Sequence, residues 1–190
     1  MKVVAFNGSA RKDGNTAILV KAVFKELKKE GIETELVQLA GKKVHGCLAC
    51  GKCYKTRDQR CVITNDVVNE CIESMAEADG IILASPTYFA DVSTEMKALI
   101  DRSGYVARAN DHMFQRKVGA AVVAARRAGA IHPFDTLNHF FFISQMVVPG
   151  SSYWNIGMGL APGDVKKDKE GLATMKTLGT NMAWLMKKLE

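Results

Sequence analysis

Short apolar segments recur along the chain, separated by longer stretches in which apolar residues return every three or four positions. The segments at 2–7, 80–86 and 118–125 are almost entirely apolar, and such runs predict parallel strands buried on both faces. Residues 32–39 roughly alternate between polar and apolar side chains, which predicts an edge strand exposed on one side. Residues 146–148 are expected to open a last strand.

The stretches between these segments predict amphipathic helices. The first begins at Thr16 and ends near Gly31, and Ser93 is suited to cap the start of another. The further helices are predicted at 66–79, 93–102, 134–145 and 169–188. In the last helix, the residues expected to face inward are Leu172, Met175, Met182, Leu185, Met186 and Leu189.

Alternating strands and helices predict one α/β domain, residues 1–190, with helices on both faces of a five-stranded parallel sheet. A loop of small polar residues follows the first strand, which suits the flavodoxin-like doubly wound order 2-1-3-4-5. In that fold a ligand lies beyond the carboxyl ends of the first, third and fourth strands. Residues 40–65 show neither period and are expected to form a cysteine-rich loop insert, and residues 150–168 a long loop.

The loop after the first strand has the composition of an anion site. Residues 8–15 are rich in small and polar side chains and end where a helix begins, so unpaired N–H groups and the helix dipole face the loop. Ser9 and Thr16 add hydroxyls, and Arg11 adds a planar cation that can bind two phosphate oxygens. The glycine spacing fits neither a Walker loop nor a dinucleotide fingerprint, which favours a mononucleotide, FMN above all. The alternative is an ordinary turn between strand and helix.

Two further loops are expected to meet the first at the same sheet edge. After the third strand, Thr87 offers a hydroxyl, and Tyr88 and Phe89 offer flat apolar surface for an isoalloxazine ring; core packing is the alternative. After the fourth strand, residues 124–130 offer N–H groups, and Arg126 or Arg127 offers a cation, for which the alternative is a solvated pair of side chains. The candidate cofactor-binding residues are Ser9, Arg11, Gly14, Asn15, Thr16, Ala17, Pro86, Thr87, Tyr88, Phe89, Asp91, Ala125 and Arg126.

Four of the five cysteines fall within fifteen residues, at Cys47, Cys50, Cys53 and Cys61. The two-residue gaps let successive thiolates converge on one inorganic centre, and the fourth cysteine closes the cage. Four thiolates suit a 4Fe-4S cluster, although a zinc site uses the same atoms and a metal-free loop is a third alternative. Cys71 lies in an apolar helical pattern and is expected to be a buried small hydrophobe.

Composition narrows the class of protein. The hydrophobic content of 47% is ordinary for a globular chain with a full core. The net charge of +6 comes from scattered lysines without interleaved aromatic residues, so we expect no nucleic-acid partner. No apolar run approaches the roughly 20 residues of a membrane span, and the start is not a secretory signal, so a cytoplasmic protein is expected.

The motifs at 8–11, 14–16, 85–89 and 96–102 resemble those of the NADPH-dependent FMN reductase family. Members usually carry a glycine-rich third loop, from which residues 124–128 depart with two arginines. Within the family, the cysteine spacing is similar to that of the iron–sulfur flavoproteins. The resemblance implies that the FMN phosphate is held by Ser9, Arg11, Asn15 and Thr16, and that the ring is lined by Pro86, Thr87, Tyr88 and Phe89.

The sequence therefore predicts an oxidoreductase that transfers electrons through FMN and a 4Fe-4S cluster. We expect ferredoxin or NAD(P)H as electron donor and a small-molecule acceptor such as a quinone, oxygen or peroxide. No side chain is expected to act as a nucleophile or general base, and the resemblance implies a homodimer or homotetramer. The alternatives are an NAD(P)H-dependent FMN or quinone reductase without a cluster, and a non-catalytic flavodoxin-type electron carrier.

Overall fold

Strands and helices alternate along the chain in a computed structural model that describes residues 1–189. The strands are β1 (Lys2–Asn7), β2 (Glu33–Gln38), β3 (Gly80–Pro86), β4 (Val118–Ala125) and β5 (Ile156–Met158). The helices are α1 (Asn15–Lys29), α2 (Lys52–Thr56), α3 (Val68–Glu77), α4 (Thr94–Ala109), α5 (Ile131–Ile143) and α6 (Lys169–Leu189), with a 3-10 turn at Asp164–Lys167.

The strands form one parallel sheet in the order β2-β1-β3-β4-β5, which confirms the predicted doubly wound topology. The two faces of β1 show how the core is divided. Val3 and Ala5 pack with α1 and α6, whereas Val4 and Phe6 pack with α3, α4 and α5. Because β1, β3 and β4 are covered on both faces, they appear in the sequence as continuous apolar runs.

The position predicted for the last strand was wrong. Val147 makes only a single parallel bridge to Val118, and pairing with β4 resumes at Ile156. Pro149 interrupts the run because proline has no amide hydrogen to give to a neighbouring strand. The segment expected to be one long loop, 150–168, therefore contains both β5 and the 3-10 turn.

Several helix boundaries also differ from the prediction. Ser93 caps α4 as expected, since its Oγ accepts a hydrogen bond from the Met96 amide at 3.3 Å, but the helix continues to Ala109. The cysteine-rich segment contains the short helix α2. Leu189, expected to face inward, is 54% exposed at the last turn of α6. Within the described residues, no helix is both long and apolar enough to span a bilayer.

Candidate functional site

The three predicted loops meet at the carboxyl edge of the sheet around an open cavity of about 190 Å³, here called the edge cavity. Wider grooves exist, including one of about 520 Å³ beside α4 and α5, but none of the predicted site residues lines that groove. The edge cavity is lined by Ser9, Arg11, Asn15, Thr16, Pro86, Thr87, Tyr88, Ala124, Ala125, Arg126, Gly159 and Leu160.

The first loop is shaped by hydrogen bonds between neighbouring residues. The Asn7 side chain accepts a bond from the Ser9 amide at 3.0 Å, and the Ser9 hydroxyl accepts one from the Arg11 amide at 3.2 Å. Helix α1 then begins at Asn15 without a side-chain cap from the described residues. The first-turn N–H groups and the positive end of the helix dipole are thus left facing the edge cavity.

The Asn15 side chain lines the edge cavity and also holds the segment that follows β5. Its Oδ1 accepts hydrogen bonds from the amides of Gly163 at 2.9 Å and Val165 at 3.3 Å, and its Nδ2 donates to the Ala161 carbonyl at 3.0 Å. The side chain therefore anchors the segment after β5 to the start of α1. The second Nδ2 hydrogen and the Asn15 backbone remain for a ligand in the edge cavity.

Arg11 reaches across the cavity mouth. Its Nη1 donates a hydrogen bond to the Leu160 carbonyl at 3.1 Å, and the Gly159 amide donates to the Ala125 carbonyl at 2.8 Å. Gly159 and Leu160 thus form a fourth wall that the sequence analysis missed. Correct placement of β5 would have found them, because the residues after a parallel strand lie at its carboxyl end.

The second loop contributes a buried hydroxyl. The Thr87 amide donates to the Ala124 carbonyl at 2.8 Å, which fixes the loop against β4. Among the described residues, the buried Thr87 Oγ1 has no hydrogen-bond partner. Buried polar atoms are nearly always paired in native proteins, so this hydroxyl is suited to bind a ligand in the cavity. Tyr88 lies beside it, half-exposed, with its ring available for stacking.

Four predicted contact residues do not line the edge cavity. Phe89 lies at the tip of a tight turn with φ of 47° and its side chain is fully exposed, because residues 88 and 91 pair and direct the tip outward. Asp91 instead accepts hydrogen bonds from the Val92 amide and the Thr136 hydroxyl. The other two are Gly14, which packs beneath Arg11, and Ala17, which is buried in the core.

The residues of the edge cavity fit a flavin mononucleotide. The α1 N-terminus and Arg11 favour a phosphate at one end. Thr87 and the end of β4 present polar groups on the opposite wall, where a ring with hydrogen-bonding edges needs them. Arg126 lines the cavity, whereas Arg127 is not among its lining residues.

The four clustered cysteines line a second cavity of about 100 Å³, here called the cysteine cavity: Cys47, Cys50, Cys53 and Cys61. Across residues 1–189 no group of three ligand side chains converges on a point that would suit a single metal ion. A four-iron cluster takes each thiolate on a different iron, so its ligands surround a volume rather than a point. Burial raises the pKa of the Cys53 thiol, and the neighbouring thiols of Cys50 and Cys61 add to this, so a bound metal centre would favour the Cys53 thiolate.

Arg102, on α4, binds both ends of residues 45–63, here called the cysteine segment. Its Nε donates to the Cys61 sulfur at 3.3 Å, Nη1 to the His45 carbonyl at 3.1 Å, and Nη2 to the Ile63 carbonyl at 3.0 Å. Nη1 also pairs with Asp66, and both side chains are 0% exposed. Burial alone lowers the pKa of Arg102, but the bonds to Asp66 and Cys61 outweigh it and raise the pKa above its usual range.

Asn69 and Asn110 complete this support. The Asn69 Oδ1 accepts from the Cys61 amide at 2.7 Å, while its Nδ2 donates to the Cys61 carbonyl at 2.9 Å. The Asn110 Oδ1 accepts from the Gln59 amide at 3.0 Å. Sequence reasoning missed these residues, because a buried polar side chain within a helical pattern looks like a solvated position until its partners are known.

Cys71 lies apart from the other thiols, on the buried face of α3. It is 1% exposed, and burial raises its pKa to about 12. Both observations confirm the prediction of a buried, apolar-like cysteine.

The model of the NADPH-dependent FMN reductase family matches residues 1–161. An iron-sulfur flavoprotein of Methanocaldococcus jannaschii is 39% identical over the full length of both chains. An iron-sulfur flavoprotein of Methanosarcina thermophila is 33% identical over 92% of this chain and 90% of that one.

Among solved structures, RosB with a bound riboflavin phosphate intermediate superposes with a TM-score of 0.76 over 100% of this chain and 80% of that chain. The identity there is 19%, so this likeness concerns the fold. The family match and the full-length relatives concern the sequence itself, including the segments that build the edge cavity. The chain therefore belongs to the NADPH-dependent FMN reductase family and is an FMN-binding, flavin-dependent oxidoreductase.

Proposed function

We propose that this oxidoreductase holds a 4Fe-4S cluster in the cysteine cavity and passes electrons between that cluster and FMN in the edge cavity. The observation that carries the proposal is that all four clustered thiols line one cavity. The names of the two relatives, both iron-sulfur flavoproteins, support it. Zinc is the alternative occupant of the same four thiolates, and the metal counts described below distinguish the two.

For FMN, the chain supplies binding and orientation. The N–H groups at the start of α1, with Ser9, Thr16 and Arg11, bind the phosphate. Thr87 and the backbone at Ala125 bind the polar edges of the ring, and Tyr88 packs on its flat surface. FMN itself supplies the exchange of one or two electrons.

For the cluster, the chain supplies four thiolates and a fixed backbone. Cys61 is held by two buried side chains, those of Asn69 and Arg102, whereas Cys47 and Cys50 are on the exposed part of the segment. The cluster supplies one-electron transfer at a potential set by the surrounding hydrogen bonds.

The surface around the cysteine cavity favours an acidic electron donor. Residues 41–62 carry six basic residues and one acidic residue, a net charge of +5 out of +6 for the chain. All six cations are exposed, and we call them the basic rim: Lys42, Lys43, Lys52, Lys55, Arg57 and Arg60. Complementary charge accelerates the encounter of redox partners, so we propose an acidic protein of the ferredoxin type as donor. NAD(P)H as an alternative donor, and a quinone, oxygen or peroxide as acceptor, are further proposals.

We also propose that the working protein is a homodimer or homotetramer. Phe89, Tyr88 and Trp154 are exposed aromatic residues, and a second copy would shield them from water. Sedimentation velocity of the wild type and of Phe89→Ser measures the assembly. A monomer in both samples would contradict the proposal.

Anaerobic purification, followed by iron, acid-labile sulfide and FMN counts, tests the cluster. We expect about four iron, four sulfide and one FMN per chain. Cys61→Ala should lose most of the iron while keeping FMN, and Cys71→Ala serves as the matched control that keeps both. FMN without iron in the wild type would leave an NAD(P)H-dependent reductase without a cluster.

A further inference from the structure

We propose that Arg102 is a positioning residue for the cluster and raises the reduction potential of that cluster through its hydrogen bond to the Cys61 sulfur. The inference rests on the proposed function and goes beyond it, because four cysteine ligands alone leave the potential of a cluster open over a wide range.

The guanidinium joins the two ends of the cysteine segment. It binds the carbonyl of His45, two residues before the first ligand, and that of Ile63, two residues after the last. Both contacts come from one planar group that presents five donors in a rigid arrangement. The entry and exit of the segment are therefore fixed by a single side chain, which places Cys61 before any cluster is bound.

Asp66 offsets the cost of burying the Arg102 guanidinium. Its carboxylate pairs with Arg102 and also accepts hydrogen bonds from the His45 amide at 2.8 Å and the Val68 amide at 3.2 Å. A buried charge without such a partner would be strongly destabilising. The pair leaves the Nε of Arg102 free to donate to the sulfur at 3.3 Å.

This contact favours the reduced cluster. Reduction adds negative charge that is shared with the ligand sulfurs, and an N–H donor stabilises a sulfur more strongly as its charge grows. Because the side chain of Arg102 is 0% exposed, water screens the interaction little. Hydrogen bonds to sulfur are among the features that set the potentials of iron–sulfur clusters.

The test compares Arg102→Lys with Arg108→Lys, an exposed arginine on the same helix. Lysine keeps the charge but not the planar array of donors. A redox titration followed by electron paramagnetic resonance should show the one-electron reduction constant of the cluster about tenfold lower in Arg102→Lys, which corresponds to about 59 mV. The FMN potential and the Arg108→Lys cluster should match those of the wild type.

A second variant should shift the reduction potential of the cluster in the opposite direction. Asp66→Asn keeps the donor to Cys61 but removes a nearby negative charge, so the cluster potential should become more positive. Equal potentials in wild type and Arg102→Lys, or a negative shift in Asp66→Asn, would overturn the proposal. Failure of Arg102→Lys to take up iron while FMN is retained would support the positioning role, and Asp66→Asn then tests the potential.

Hydrogen exchange separates this inference from the proposed function. In protein prepared without iron, the amides of 61–68 should exchange faster in Arg102→Lys than in Arg108→Lys. A wild type that binds no iron refutes the cluster, yet the exchange experiment still tests whether Arg102 fixes the segment. Unchanged exchange in Arg102→Lys refutes the positioning role even where the wild type carries a cluster.

Discussion

One side chain at the edge cavity, Thr87, has a buried polar atom that a ligand could pair. Thr87 has a buried hydroxyl without a partner among the described residues, and Thr34, on the edge strand β2, has another. The two differ in position, since only Thr87 lines the edge cavity. A comparison of the two residues therefore separates the free-energy cost of an unpaired buried hydroxyl from the contribution of that hydroxyl to ligand binding.

We expect Thr87→Val to stabilise the FMN-free protein while weakening FMN binding. Valine keeps the shape but removes a buried polar atom, and loss of one neutral hydrogen bond to FMN costs about 1 kcal/mol, roughly fivefold in Kd. Thermal unfolding and fluorescence titration with FMN measure the two effects. Thr34→Val should raise the unfolding midpoint in the same way with no change in Kd. A Kd for Thr87→Val equal to that of the wild type would show that the hydroxyl does not contact FMN.

The thiols should differ sharply in reactivity. Cys71 has a pKa of about 12 and almost no exposure, so at pH 8 its reactive thiolate is scarce and shielded. In iron-free protein, iodoacetamide should modify the exposed Cys47 and Cys50 within minutes and leave Cys71 unmodified until the chain unfolds. Peptide mass spectrometry measures the labelling. Native labelling of Cys71 at the rate of Cys47 would contradict its burial.

At the scale of elements, the hydrophobic pattern predicted the longer strands and helices, in which each face is either buried or exposed along its whole length. β1, β3 and β4 were found because both faces of each are buried, and α1 because one face is apolar. β5 was not found, since it has only three residues and its central Gly157 has no side chain to give a period. A Cβ at Gly157 would lie 2.5 Å from Leu19, so packing against α1 requires this glycine.

Some features of the candidate site could be predicted from the sequence, and others depend on contacts between distant residues. The loops after β1, β3 and β4 were predicted because the doubly wound fold places them together. The anchoring role of Asn15 depends on Gly163 and Val165, and the contact that Asp91 makes at the base of the Phe89 turn depends on Thr136 of α5. No periodicity encodes such contacts.

The cysteine segment should loosen in acid through Asp66. Burial alone raises the pKa of that carboxyl, but hydrogen bonds from Arg102, His45 and Val68 outweigh it and lower the pKa below its usual value. A carboxyl whose pKa is lower in the folded protein than in the unfolded chain stabilises the fold at pH values above its unfolded pKa of about 3.9. This stability is lost as the pH falls through the lower pKa of the folded protein. Unfolding midpoints from pH 7 down to pH 3 should fall more steeply in wild type than in Asp66→Asn. Parallel curves would mean that Asp66 does not contribute.

At the scale of the whole molecule, the net charge is concentrated in the basic rim beside the cysteine cavity. Because the rim holds most of the net charge, an acidic donor protein should be steered to it. Lys52→Glu with Lys55→Glu should slow reduction by a ferredoxin about tenfold at low salt, with the difference shrinking as salt rises. Stopped-flow absorbance measures the rate.

The matched control changes the same charge elsewhere. Lys25 and Lys28 are exposed on α1, and their replacement by Glu should leave the ferredoxin rate nearly unchanged. Reduction by dithionite should be alike in all variants. Equal slowing by both double variants would assign the effect to net charge rather than to the rim.

The segment that carries the cysteines leaves the fold and returns to it at one point. The carbonyls of His45 and Ile63 accept bonds from the same guanidinium, at 3.1 and 3.0 Å, so the base of the loop is closed before its tip begins. Closing a loop costs little more as its length grows, and a closed base isolates the sheet from changes at the tip. A change in the length of the exposed tip would therefore leave the sheet intact, provided that Gln59 and Cys61 keep their bonds to Asn110 and Arg102.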